Sequence, residues 1–374
     1  MQLTLDKKQV AMPFPLVDVS GAPYERGVQF GRACGDMIDR YPAILQQVLL
    51  RDARFRDPKA MPKDIGRAEL EARALRFLPF FEAFAPAQVE ELRGVAAGAE
   101  VSFATALLVN VRGEVGVFDR IADATSGCTA FAVGRDATVD GGVLVGQNQD
   151  QGQATKDLVV VLRVDPDKGP RMLTPTFGGL LGYCGINSAG VGYMQTQLGN
   201  SVWRFGMPHY PLKRAFLEQE SIAGCLAALG RARLASCGDY VLADRDEIVN
   251  IESTPDGSAV VRAGSGCIAH ANNFEDPDLA RDDQLVGVLT DSPLRSQRLK
   301  ELQRAKSGAV TLEDAKNWLS DHQGHPTSIC RHDVSNDPAA LTTLYSVICE
   351  PDKGLIHMTA GNPCTNEFHT YSLD

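Results

Sequence analysis

No apolar run in the 374 residues approaches the roughly 20 needed to cross a bilayer, so no membrane-spanning segment is expected. Basic charge is scarce, 37 Lys and Arg against 47 Asp and Glu. The resulting net charge of −10 argues against nucleic acid or an anionic membrane as partner. No Cys-x-x-Cys pair occurs, and the nine cysteines are scattered from Cys34 to Cys364. Scattered thiols in odd number fit a reducing cytoplasm better than a disulfide framework. The start, Met1 to Ser20, lacks a basic stretch followed by an apolar one and is broken by Pro13 and Pro15, so a secretory signal is not expected. Gly178-Gly-Leu-Leu-Gly182 lacks both the Lys-Ser/Thr of a phosphate loop and the order of a dinucleotide site. Close approach to a neighbouring strand or to substrate is the simpler use of those glycines. Internal repeats, low-complexity stretches and charged linkers are also missing.

What is present is an ordinary globular composition, 44% hydrophobic and 22% charged, long enough for one large domain or two. The chain changes character near residue 120. Before it, Arg32 to Arg54 and Asp64 to Phe84 read as helices. Pro86 suits a helix first turn, Gly98 a helix stop, and Ser102 the cap of a further helix. After Ala124 strands and turns dominate: Thr129–Val133, Val143–Gln147, Leu158–Val164, Gly190–Met194, Tyr240–Ala243, Ile248–Ile251 and Ala259–Arg262. Helices return at Leu212–Leu229, Pro293–Ala305 and Leu312–Ser320, and strands at Leu344–Cys349 and Leu355–Thr359 close the chain. A helical lead-in, an antiparallel β centre and flanking helices predict a layered α+β fold.

Gly127-Cys128 carries the most chemistry. If this peptide is cut, Cys128 gains a free α-amine next to its own thiol. An α-amine titrates near 7.7–8.0, so near neutral pH it can act as the base that activates the nucleophile. The following hairpin provides a geometric test. A turn centred on Val139-Asp140 places Cys128 opposite Gln151, and Asn148 and Asp150 beside it to within a residue or two. A carboxylate there can hold the protonated amine. The plain alternative is that Asn148-Gln149-Asp150 opens a loop.

The segments Gly127-Cys-Thr-Ala-Phe, Gly146-Gln-Asn-Gln-Asp150, Gly185-Ile-Asn-Ser-Ala-Gly-Val191, His270-Ala-Asn-Asn-Phe274, Asp321 to His332 and Gly361-Asn-Pro-Cys364 together resemble the isopenicillin N acyltransferase-like family of self-processing N-terminal-nucleophile hydrolases. The resemblance starts at Pro23-Tyr-Glu-Arg-Gly27 and runs over most of the chain. It implies a four-layer αββα fold in which two antiparallel sheets pack face to face between helices. It also implies cleavage between Gly127 and Cys128, into a mainly helical segment 1–127 and a segment 128–374 that stay together as a heterodimer. Cys128 maps to the family's nucleophile, Asp150 to its amine-side aspartate and Asn272 to its oxyanion asparagine. Related bile-salt hydrolases carry an arginine where Gln147 stands, so no arginine role passes to that position. The implied activity is amidohydrolysis or acyl transfer on a small amide or acyl thioester through an acyl-cysteine. No cofactor is called for, and whether the protein forms homo-oligomers stays open.

Supporting residues have bland readings too. Arg295 and Arg298 lie on one helix face; they could anchor a substrate carboxylate, although ion pairing is the expectation. Arg331 reads as a buried anchor rather than a substrate contact, and Asn148, like the two arginines, is a substrate-binding or supporting candidate. His322, His325, Cys330 and His332 could fill a zinc shell and make a zinc-dependent hydrolase, but their spacing matches no well-formed finger, and no metal is expected. A non-catalytic binding protein of the same fold is the remaining alternative.

Overall fold

The computed structural model describes residues 12–56, 65–116, 126–263, 266–306, 308–335 and 340–374. The chain opens with β1 (Leu16–Gly21) and a long helix α1 (Pro23–Arg56), followed by α2 (Arg67–Leu75), α3 (Leu78–Phe84), α4 (Pro86–Ala99), α5 (Phe103–Asn110) and α6 (Arg112–Val115). Seven strands then appear in two groups. The first is β2 (Ser126–Val133), β3 (Leu144–Gly152), β4 (Val159–Pro166) and β5 (Met172–Phe177); the second is β6 (Gly185–Asn187) and β7 (Gly192–Thr196), with β8 (Gly238–Ala243) coming after helices α7 (His209–Leu217) and α8 (Ile222–Arg231). The remainder is β9 (Ile248–Thr254), β10 (Gly257–Arg262), β11 (Cys267–His270), α9 (Ser292–Arg304), α10 (Leu312–Leu319), β12 (Leu341–Glu350), β13 (Leu355–Ala360) and β14 (His369–Ser372).

The strands form two sheets, ordered β1-β4-β5-β6-β7-β8-β9-β10 and β11-β2-β3-β12-β13-β14. They touch through β2, β3 and β12 of one and β6, β7 and β8 of the other. Helices α1 and α7 cover the outer face of the first sheet, and α9 and α10 that of the second. This is the expected α+β αββα layering. One edge departs from the antiparallel expectation: β1 runs parallel to β4, which is open to it because a long connection, helices α1–α6 and strands β2 and β3 of the other sheet, joins them in place of a hairpin.

Strand periodicity explains how the second sheet separates two cores. Along β2, Ala130 and Ala132 join the inter-sheet core with Val145, Tyr193, Val241 and Val347. Phe131 and Val133 point the other way, into a cluster with Leu299, Trp318, Leu319 and Ile348 under the helices. Phe131 meets Trp318 edge-on, ring centroids 5.6 Å apart. By the same alternation Cys128 faces the inter-sheet side, and Gly127 and Thr129 the helix side. The inter-sheet core also takes Phe30, Leu92 and Leu107, so residues from both sides of Gly127-Cys128 share one apolar interior. No helix among the described residues is long and apolar enough to cross a membrane.

Several boundaries differ from the sequence reading for local reasons. Pro86 does open α4, and the Ser102 hydroxyl accepts from Thr105 N at 3.0 Å as the cap of α5. Gly98, read as a stop, lies inside α4, which ends one residue later with Glu100 in the left-handed region. Gly98 is there for the α1–α4 crossing: a Cβ on it would fall 2.2 Å from the Val28 carbonyl oxygen, and one on Gly27 1.9 Å from that of Glu91. The single helix expected over Leu212–Leu229 is two, because Ser221 starts a new one by accepting from Gly224 N. Gly182 does serve a close backbone approach, but to a helix, since a Cβ on it would press into Arg214 of α7.

The crossing generates a test. Gly98→Ala should cost about 3 kcal/mol or more, since backbone must shift to admit the methyl. Gly230→Ala, in α8 with nothing within 4 Å of the new methyl, should stabilise by about 0.5–1 kcal/mol. Thermal and denaturant unfolding of the two variants reads both signs; similar values would remove the close-packed crossing from the account.

Candidate active site

The β2–β3 hairpin pairs Cys128 with Gln149, Gly127 with Asp150 and Thr129 with Asn148. The pairing is two residues from that predicted, within the stated uncertainty. The turn is centred one residue earlier, near Thr138, because Arg135–Ala137 forms a 3-10 turn there. Directly opposite residues share a face, so Gln149, not Asp150 or Asn148, is the side chain beside the thiol. The Cys128 Sγ donates to Gln149 Oε1 at 3.4 Å, and Gln147 Nε2 donates to the same oxygen at 2.9 Å. Gln147 Oε1 in turn accepts from Gln195 N of β7 at 2.9 Å, tying the hairpin to the facing sheet.

Cys128 borders a cavity of about 570 Å³, whose wall includes Glu114, Tyr183, Trp203, Tyr210 and Lys213. Lys213 Nζ lies 4.3 Å from the Tyr210 ring centroid. The Glu114 carboxylate accepts from His209 N at 2.9 Å, and burial pushes it up to about 7 against those hydrogen bonds and the Lys213 charge. The cavity therefore joins aromatic surface to ionisable groups of both signs.

On the other face of the strand pair lies a buried charge network. Asp150 is wholly buried; Oδ1 accepts from Thr343 Oγ1 at 2.8 Å and Oδ2 from Arg331 Nε at 3.3 Å. A Cβ on Gly127 would sit 3.5 Å from Asp150 Oδ2 and 3.5 Å from Arg331, so carboxylate and guanidinium flank the Gly127-Cys128 peptide. Asp291 joins the two arginines: it pairs with Arg331 Nη2 and accepts from Arg295 Nε at 2.7 Å. Arg295 then reaches the nucleophile's own backbone, donating from Nη1 to Cys128 O at 2.5 Å and Thr129 Oγ1 at 2.6 Å. Both arginines are supporting groups here, and neither borders the cavity. Arg298 is ion-paired with Asp321 at 2.7 Å.

Asn272 closes the arrangement, with an orientation the sequence argument did not foresee. Its Oδ1 accepts from Cys128 N at 2.6 Å and from Arg295 Nη2 at 3.1 Å, while its Nδ2 donates to Gln197 O at 3.0 Å. Two donors meeting Oδ1 determine which way the amide points. One of the two Nδ2 hydrogens is thus engaged at the cavity wall, and the carbonyl faces the nucleophile's nitrogen. Asn148 is turned away altogether: its Nδ2 donates to Leu319 O and Ile329 O, both at 2.8 Å, and Ser346 Oγ donates to its Oδ1. It pins the helix side of the sheet and contacts no part of the cavity.

Gln149, Asp291 and Thr343 were missed by the sequence reading. Asp291 carried one usable signal, a carboxylate four residues before Arg295 at a helix start. Gln149 depended on exact register, and Thr343 on a strand pairing about 190 residues distant in sequence. Of the zinc candidates, His322, Cys330 and His332 come together with Cys364, not with His325 as fourth ligand. None of them lies on the cavity beside Cys128, which does not fit the zinc-hydrolase alternative.

Two sheets packed face to face between helical layers, with the Cys128 thiol bordering a cavity, make up the layered arrangement that the motifs implied. The chain's particular likeness is the one its motifs pointed to: it is 27% identical over 269 residues to the acyl-coenzyme A:6-aminopenicillanic-acid-acyltransferase 40 kDa form of Emericella nidulans, covering 70% of this chain and 72% of that protein. No family model matches the chain. Among solved structures it is similar to a mutant of conjugated bile acid hydrolase from Clostridium perfringens, at 14% identity, TM-score 0.43, over 66% of this chain and 96% of that one. It is also similar to the Caenorhabditis elegans ortholog of N-acylethanolamine-hydrolyzing acid amidase, at 14% identity, TM-score 0.43, over 60% and 93%. A third is penicillin V acylase from Agrobacterium tumefaciens, at 10% identity, TM-score 0.44, over 66% and 86%.

Asp150 has a testable titration. Burial pushes its carboxyl up to about 6, opposed by the Arg331 and Arg295 charges and the Thr343 hydrogen bond. A raised acid is a cost in the ionised form: absent below the unfolded value near 3.9, it grows as pH rises to about 6 and is constant above. If ionised Asp150 serves the reaction, turnover should fall on the acid side with a midpoint near pH 6. Asp150→Asn should lose at least about a hundredfold, about 2.7 kcal/mol, and its residual rate should lack that limb. Near wild-type turnover in processed Asp150→Asn would remove the residue from the machinery.

Proposed function

We propose that the chain cuts itself between Gly127 and Cys128 and then works as a cysteine N-terminal-nucleophile amidohydrolase or acyltransferase on a small N-acyl amide or acyl thioester. The observation that carries this is the surroundings of one nitrogen. Cys128 N has the Asn272 carbonyl at 2.6 Å, and the preceding residue has a buried carboxylate beside it, while the thiol of the same residue borders a cavity. A peptide N–H uses a single acceptor. An α-amine that must be held, protonated and returned needs acceptors of this kind.

In the intact chain the Cys128 thiol attacks the Gly127 carbonyl, the amide nitrogen leaves as the α-amine, and water resolves the Gly127 thioester. Segments 1–127 and 128–374 remain one folded unit through their shared core. In the processed enzyme the amine takes the thiol proton, and the thiolate attacks the substrate carbonyl. The Asn272 Nδ2, now on Gln197 O, and a backbone N–H are the donors assigned to the oxyanion; one such donor is worth about 3–4 kcal/mol. The leaving group takes the proton and an acyl-cysteine remains. Water completes hydrolysis; an amine completes transfer. We favour hydrolysis, since water is always present. The aromatic and charged wall suits a substrate with an apolar body and an ionic group. The acyltransferase relative, named for an acyl-coenzyme A and 6-aminopenicillanic acid, supports a small amine or thioester as reactant.

Intact mass and N-terminal sequencing of freshly purified protein test the processing step. Two fragments are expected, the larger beginning Cys-Thr-Ala-Phe, and Cys128→Ala should stay a single chain of unchanged thermal stability. Cys128→Ser, whose hydroxyl is far less acidic than a thiol of about 8.5, should process slowly or not at all. Cleavage of Cys128→Ala at the wild-type rate would sink the mechanism.

A further inference from the structure

A second constellation of reactive side chains lies on the helix side of the second sheet. His322, Cys330 and His332, in the segment after α10, meet Cys364, in the turn after β13. Their four ligand atoms all lie within 4.8 Å of one another. The Nε2 atoms of His322 and His332 are 3.1 Å apart, and the two sulfurs are 3.6 Å apart. His332 Nε2 stands 3.5 Å from the Cys330 Sγ and 3.6 Å from the Cys364 Sγ.

These separations can be compared with a coordination tetrahedron. With Zn–S of about 2.3 Å and Zn–N of about 2.05 Å, the edges are about 3.8 Å between sulfurs, about 3.6 Å between sulfur and nitrogen and about 3.4 Å between nitrogens. The four edges above fall within about 0.3 Å of these values, and the two remaining, from His322 to each sulfur, lie within 4.8 Å. A disulfide does not fit, since bonded sulfurs stand about 2.05 Å apart. We propose that His322, Cys330, His332 and Cys364 form a structural zinc site. On binding, the two thiols release their protons to solvent, so two thiolates and two neutral imidazoles leave the centre with no net charge. Four protein ligands fill the shell and leave no position for a reacting water, so the metal has a structural role.

The surroundings support a built site. Asn362 Nδ2 lies 3.5 Å from the Cys330 Sγ, in place to donate to a thiolate, and also donates to Arg331 O at 2.7 Å. Cys330 N donates to Asp321 O, and His332 N to Pro326 O, both at 3.0 Å. Such outer contacts orient metal ligands. Position gives the site its consequence. Arg331 stands between two ligands, and its guanidinium reaches Asp150 and Asp291 beneath the Gly127-Cys128 peptide. The metal would bind the 321–332 segment to the turn at Cys364 and so fix the arginine that braces the nucleophile strand. Arg331 is on this account a residue positioned by the metal, not a catalytic residue.

The test is metal analysis of full-length protein purified without chelators or a metal-binding tag. About one zinc per chain is expected, falling below about a tenth in Cys364→Ser and in His332→Ala, and unchanged in Cys128→Ala and His325→Ala. Cobalt added to chelator-treated wild-type protein should give the intense visible bands of a tetrahedral thiolate site, reversed by zinc; this readout serves even if the ligand variants fail to fold. A chelator should lower the melting temperature of the wild type and restored zinc should recover it. Protein with no bound zinc, no cobalt bands and a melting temperature indifferent to chelator would overturn the proposal. So would a mass two hydrogens low, placing a disulfide between Cys330 and Cys364. Because Cys128→Ala keeps the site, these outcomes are independent of the nucleophile reading.

Discussion

Beneath the Gly127-Cys128 peptide, two carboxylates and two guanidiniums pack together largely out of solvent. Asp150, Arg331, Asp291 and Arg295 form an unbroken chain of ion pairs with no net charge. Burying any of the four alone would cost several kcal/mol, and removing one strands its partner. The group is therefore held as a unit, and its ends define the site: Asp150 flanks Gly127, and Arg295 grips the Cys128 carbonyl. Replacing such a network with apolar residues would often be neutral for stability. Its presence here fits a role in fixing one peptide bond rather than in holding the fold.

Strand alternation then divides the labour. The thiol faces the inter-sheet side with Gln149 and the cavity, while the carboxylate lies on the helix side with the arginines. The backbone of residues 127–129 has access to both environments. That fits a mechanism in which the backbone nitrogen of Cys128, once freed, is itself the base. Asn272 links the two sides, touching Cys128 N and Arg295 with its carbonyl and the cavity wall with its amide.

Much of this was legible in the chain. The Gly-Cys step before an apolar alternating strand identified the candidate nucleophile, and the turn signal at Asp140-Gly-Gly brought the Gln147–Asp150 segment to it. A layered α+β fold followed from where helical and strand periodicities begin and end, and the four layers from the family resemblance. What escaped had physical causes. A turn centre displaced by one residue moves the pairing by two, which gave Cys128 Gln149 as neighbour in place of Gln151. An asparagine's presence can be read from sequence, but which end of its amide faces the site depends on donors brought to it by β2 and α9. Cys364 joins His322, Cys330 and His332 only because β12 and β13 fold back, so the local spacing suggested His325 instead. Gly98 signalled a helix stop because the same absence of a side chain serves a close helix crossing.

The most direct test of the central claim is to label the purified enzyme with a thiol-directed acylating or alkylating substrate analogue and map the adduct by peptide mass spectrometry. The account predicts one adduct, on the sulfur of Cys128, in a peptide that begins with that cysteine and carries a free α-amine. An adduct on another cysteine, or a labelled Cys128 still joined to Gly127, would contradict it.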